Sequence, residues 1–235
     1  MSRTKKVILN QNPAKFFISF NGKDGKIGYK KQGESDFIDL PTPFRFVVID
    51  ADCKKIGGKS SQKKDAKTYK SNLVHPGYCE AIYHVGSDKD AGVLASGPWA
   101  TIRESAAISG ARMNQLIYAI GEISGNPELV CISVHGRSMA AWINICKTFD
   151  PYGDNVFEVS GFEKQGDEKE NVESMVPVFT VAEVENESDL ISAAKEADEN
   201  MVQPYFAAYF KTDKAPLISD EQETEAADID PLPFD

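Results

Sequence analysis

The chain has 235 residues, 41% hydrophobic and 26% charged, which is enough to bury a real core as one large or two small domains. No apolar stretch approaches the ~20 residues of a membrane helix, and the basic start, Met1 to Asn10, holds too few apolar residues for a secretory signal. The net charge of −10 hides a division: residues 1–72 carry a net of +9 and residues 73–235 a net of −19, so the acidic average does not exclude a polyanion partner.

The predicted elements begin with a hairpin. Lys15 to Phe20 and Lys26 to Lys31 read as strands across the turn Asn21 to Gly25. Leu40-Pro41-Thr42-Pro43 breaks the chain before Phe44 to Ile49, a β-branched and aromatic strand of the kind buried on both faces. A lysine-rich loop from Lys54 to Lys70 follows, and Lys67 to Val74 reads as a strand with a polar face. Gly92 to Gly97 is a further short strand, and Pro98 opens a helical segment, Trp99 to Ala107. Arg112 to Ile120 and Glu128 to His135 are longer strands. In the second, Val130, Ile132 and Val134 alternate with Cys131, Ser133 and His135, which predicts one buried face.

From Ser138 the period changes. Met139, Trp142, Ile143 and Cys146 fall at helical spacing, so residues 138–148 form an amphipathic helix. Strands over 155–162 and 176–184 come next, then a helix capped near Asn186 or Ser188 that buries Leu190, Ile191, Ala194 and Met201. Pro204 interrupts this helix, and the aromatic run Tyr205 to Phe210 completes the ordered part. The expected class is mainly β with added helices: an OB-like five-stranded barrel with extra hairpins and helices around it. Residues 1–12 are expected to be a flexible start, 13–212 the barrel domain, and 213–235 a disordered acidic tail.

Three enzyme-like patterns are weak. Gly57-Gly58-Lys59-Ser60 follows a strand as a P-loop does, but Cys53 stands where the motif needs its first glycine, and no apolar helix follows. His75, Cys79 and His84 have no fourth local metal ligand, and Cys53 is the one distant candidate to complete a set. His135 beside Ser133 and Ser138 has no nucleophile elbow. The four cysteines, Cys53, Cys79, Cys131 and Cys146, form no disulfide framework and read as reduced thiols of a cytoplasmic protein. No catalytic residue, metal or cofactor is expected.

Binding of unpaired nucleic acid needs cations along a groove and aromatic faces for stacking. The N-terminal half interleaves both: Lys26, Tyr29, Lys30 and Lys31 on one strand; Lys54, Lys55, Lys59, Lys63 and Lys64 in the loop; Lys67, Tyr69 and Lys70 on the next strand. Trp99, Arg103, Arg112 and Tyr118 extend the expected surface, whereas Phe16, Phe17, Phe44, Phe46 and Trp142 are expected in the core.

The last seventeen residues, Ser219 to Asp235, carry seven acids and no base, and close on Asp-Ile-Asp-Pro-Leu-Pro-Phe-Asp over 228–235. Like charges repel and bury little apolar surface, so this reads as a solvated tether with an apolar tip. The tip resembles the acidic end of bacterial and bacteriophage single-stranded DNA-binding proteins. Leu40 to Asp50 entering a barrel, and Ala140-Ala141-Trp142-Ile143 on a later helix, are similar to the layout of phage-encoded members. The resemblance implies sequence-independent coating of single-stranded DNA in replication, recombination and repair. It also implies recruitment of replication and recombination proteins through Phe234, with Leu232 beside it and Asp228 and Asp230 on a basic rim. Asp235 follows Phe234 here, a departure from tails that end on the phenylalanine. RNA binding or chaperoning on the same fold is the alternative; homo-oligomerisation is left open.

Overall fold

The structure is a computed structural model that describes residues 11–60, 66–167, 172–182 and 188–211. The tail, with Asp228, Asp230, Leu232 and Phe234, lies outside the described residues, as do Lys63 and Lys64. The predicted hairpin forms as β1 (Phe16–Asn21) and β2 (Lys26–Lys31), turned at Gly25 with φ 63. A short β3 (Ile38–Leu40) extends it.

Strand β4 (Phe44–Lys59) is the spine of the molecule, 16 residues and so roughly 50 Å of extended chain. It runs through the first part of the predicted basic loop. Cys53 and Ile56 are fully buried, Lys54 to Gly57 pair with β8 and Gly57 to Lys59 with β5, which makes the segment a strand despite its lysines. Next come β5 (Thr68–Ser71), β6 (Tyr83–Ser87) and β7 (Ala95–Gly97). The predicted helix from Trp99 is a single turn, α1 (Trp99–Ile102), followed by a 3-10 turn over Ala106–Ile108 whose start is capped by the Ser105 hydroxyl.

The rest follows the predicted order: β8 (Arg112–Ile123), β9 (Asn126–His135), α2 (Gly136–Cys146), β10 (Phe157–Asp167), β11 (Val172–Val181), α3 (Ser188–Ala197) and α4 (Gln203–Lys211). Pro204 does not break the chain into a separate aromatic stretch. It occupies the second position of α4, where a missing N–H costs little, and Tyr205 to Phe210 are helical. A π-turn, Asp198–Val202, joins α3 to α4.

The described strands make one mixed sheet in the order β3-β2-β1-β9-β8-β4-β5-β6-β7, with β10 on β4 and β11 on β10. The fold is therefore mainly β with few helices. Strand β4 is a branch point. Its first residues, Phe44 to Phe46, pair with β10, its last, Gly57 to Lys59, pair with β5, and β8 pairs along the other edge from Phe46 to Gly57. Two register shifts, between Val48 and Cys53, mark irregular pairing beside β8. β1 runs parallel to β9, and its far end meets β11 where Met175 N–H donates to the Gly22 carbonyl at 2.7 Å.

The period of two sorts the core. Phe46 and Val48, Ile117 and Ala119, and Val130, Ile132 and Val134 face one cluster, which α2 closes with Trp142. The Trp142 ring lies 5.2 Å from Phe157, 5.4 Å from Phe179 and 6.1 Å from Phe46. The alternate residues, Val47, Cys53, Tyr118, Ile120, Leu129 and Cys131, are buried as well, because α3 and α4 lay Leu190, Ala194, Val202, Tyr205 and Phe206 over them. Strand β9 thus has two buried faces along most of its length rather than the one its pattern predicts. A third cluster, Ile56, Tyr69, Val74, Tyr83, Val85, Ile102 and Ile108, fixes the β5–β7 extension to the end of β4.

Candidate nucleic-acid interface

Directly opposed residues in antiparallel strands share a face, so register alone defines a surface at the end of β4. Lys55 stands opposite Asn114, which stands opposite His135. Gly57 has Arg112 opposite it on β8 and Lys70 opposite it on β5, and Lys59 pairs with Thr68. The other face of the same strands carries Ile56, Met113 and Tyr69 into the third core cluster. Lys55, Lys59, Lys70 and Arg112 therefore share one face across three strands.

The pleat also corrects the stacking tyrosines. A lysine and a tyrosine adjacent along a strand point to opposite faces, so interleaving them in sequence separates them in space. Tyr69 is 4% exposed behind Lys70. Tyr29 is 7% exposed, opposite Ile18, with its ring edge-on to Phe16 at 5.2 Å. Tyr118 is fully buried; its ring is T-shaped against Phe206 at 5.2 Å, and its hydroxyl accepts a hydrogen bond from Asn12 Nδ2. None of the three offers a face for a base. Trp99 packs against the third core cluster at the start of α1.

The remaining cations do not converge on one trough. Lys26, Lys30 and Lys31 lie on β2, four strand spacings from β4 along the sheet, or about 19 Å. Lys26 pairs with Asp39 at 2.6 Å, which raises its pKa. Lys54 sits opposite Gln115, on the alternate parity to Lys55. Lys67 pairs with Asp90 at 2.8 Å, and Arg103 is exposed beside Glu104 at 3.7 Å. Arg137, which the sequence reading passes over, donates from Nη1 to the Gln165 carbonyl and the Ser174 hydroxyl, tying the start of α2 to the β10–β11 hairpin.

Asn114 and His135 join the face only through tertiary register, and no local signal marks them. Burial, and then the Arg112 charge, hold the His135 pKa below its ordinary value of 6.5. The unfolded chain thus binds this proton at a higher pH than the folded one, and over that interval stability rises with pH. The contribution is complete above about 6.5 and diminishes as the pH falls below it. In urea titrations across that range, His135→Gln is expected to flatten the slope of stability against pH; an unchanged slope would reassign the effect to another group.

The enzyme-like patterns resolve differently. Gly57, Gly58 and Lys59 are strand residues whose backbone belongs to the β4–β5 ladder, so the segment is not built as a phosphate-cradling loop before a helix. His84 Nδ1 bonds the Ser96 hydroxyl, and the Cys79 thiol reaches the His75 carbonyl at 3.7 Å; the predicted trio does not share a centre. His75 instead meets Asp50 and Asp52, with ligand atoms within 4.8 Å of one another. The Gly77 N–H donates to His75 Nδ1 at 3.0 Å, so the ring proton sits on Nε2 and is directed to Asp50 Oδ2 at 2.8 Å. A ligating Nε2 would have to lose that proton. The group fits a buried clasp between the irregular part of β4 and the 75–79 turn better than a metal centre.

Comparison of the chain with protein-family models, curated proteins and solved structures gives no significant match.

Proposed function

We propose that the protein binds single-stranded DNA without regard to sequence, laying the strand across the face formed by β4, β5 and β8. The observation that carries this reading is the grouping of Lys55, Lys59, Lys70 and Arg112 on one side of three neighbouring strands. With the tyrosines buried, affinity on this face comes chiefly from phosphate contacts and so falls steeply with salt.

Chain connectivity supports an OB-like barrel under this face. Strands β4, β8 and β9 form a meander, α2 follows the third strand, and the β10–β11 hairpin returns to pair with the start of β4. In such barrels the second and third strands and the first and fourth loops carry oligonucleotides. By that correspondence β8 and β9 are the second and third strands, and β5 to β7 belong to an enlarged first loop. The acidic end over 228–235 would recruit replication and recombination proteins, as its resemblance implies, and the protein would act in the cytoplasm without catalysis or cofactor.

Fluorescence titration with oligo(dT) and oligo(rU) at two salt concentrations tests the reading. Tight binding to oligo(dT) that weakens with salt is expected, with weaker binding to oligo(rU). No binding of oligo(dT) at low salt would refute it, and a preference for oligo(rU) would move the function to RNA.

A further inference from the structure

Glycine inside a strand weakens it and commonly marks a place where another backbone or a ligand comes close. Eight glycines lie within these strands, and several have a reason inside the fold. A Cβ on Gly28 would lie 2.4 Å from the Phe37 ring, and one on Gly121 would lie 2.6 Å from the Phe44 ring. Gly58 has φ 138, and a Cβ there would be 3.0 Å from the Gly110 carbonyl oxygen. Gly161 sits at the irregularity in the β10–β11 register.

Gly57 has no such reason. Its φ is not in the left-handed region, and an added Cβ would meet only Asn114 Nδ2 at 3.4 Å and the Tyr69 carbonyl at 3.5 Å, which is ordinary contact. Any small side chain fits. Yet the four nearest positions on its face are all cationic: Lys55 and Lys59 two residues away along β4, and Arg112 and Lys70 directly across on either side. Neighbours of this kind lie roughly 5 Å across and 7 Å along the sheet, so the backbone positions of four cationic residues surround one residue without a side chain. Burial lowers the Arg112 pKa, but a guanidinium keeps its charge at neutral pH.

We propose that Gly57 is the seat of one backbone phosphate of the bound strand, held against β4 by Arg112 and Lys70 and flanked by Lys55 and Lys59. This rests on the single-stranded DNA reading and adds to it a defined phosphate subsite where the chain must carry no side chain. A free nucleotide offers the same phosphate chemistry, so the experiment separates the two sources.

Wild type, Gly57→Ala and Gly57→Val are titrated with labelled oligo(dT) at several salt concentrations, with ATP as an unlabelled competitor, and their melting temperatures are recorded. Gly57→Val is expected to bind about tenfold more weakly, with a salt slope smaller by about 0.7, the share of one single-strand phosphate. Gly57→Ala is expected to fall between the two, and both variants to melt at or above the wild-type temperature, since glycine is the poorer strand former. ATP at millimolar concentration is expected to leave the labelled oligonucleotide bound. Should Gly57→Val misfold, the alanine variant carries the test: unchanged affinity and slope in it would overturn the seat. Variants that bind like wild type would do the same and leave strand binding standing. A wild type that binds no oligo(dT) removes both, and displacement by ATP would reassign the subsite to a nucleotide.

Discussion

Lys55→Glu together with Lys70→Glu is expected to lower the affinity for oligo(dT) by about a hundredfold at low salt, with little change in melting temperature. Each reversal removes one phosphate contact and replaces it with repulsion, and two contacts at about 1–2 kcal/mol each give a loss of this size. The two lysines flank Gly57, one along β4 and one across on β5, so both would act on the same short piece of strand. Lys26→Glu is the internal control. It breaks only an exposed pair with Asp39, on β2, and should leave affinity within about twofold. If the Lys26 variant weakened binding as much as the double variant, the interface would belong to the β2 end of the sheet.

Trp142→Ala is expected to be the most damaging single truncation of the core under α2, costing about 3–5 kcal/mol. The side chain is 1% exposed among Phe46, Phe157 and Phe179, and it attaches α2 to strands from both ends of the chain. For a chain of this size each kcal/mol lowers the melting temperature by about 2–4 °C, so a fall on the order of 10 °C is expected by circular dichroism. Ile143→Ala, one residue on and 45% exposed, should cost less than about 0.5 kcal/mol. Similar losses for the two would mean that α2 is not anchored through the tryptophan.

The burial of Trp142 was legible in the sequence because a helix repeats every 3.6 residues, but the same apolar stripe included Ile143, which the structure leaves 45% exposed. The hairpin β1–β2 was legible for a comparable reason: Asn21 to Gly25 supplies the turn chemistry locally. The charge division between residues 1–72 and the remainder was also plain, and it is the basis for proposing lysines as ligand contacts. What misled was treating nearness along the chain as nearness in space. Tyr69 and Lys70 are neighbours in sequence, but the pleat sends one into the core and the other outward. Lys54 to Lys59 read as loop by composition, yet Cys53 and Ile56 anchor the segment as strand by pairing with Leu116 and Met113, far along the chain on β8.

By itself the sequence determined the class of the protein, mainly β with a few helices, along with the order of most elements and the charge division along the chain. These depend on period, turn residues and charge, all of which are local. Only the tertiary structure decided which lysines share a face, which aromatic rings are buried, and that Gly57 lies among cationic positions. Those outcomes depend on strand register, which is set by pairing between distant segments: β4 with β5 on one edge and with β8 on the other.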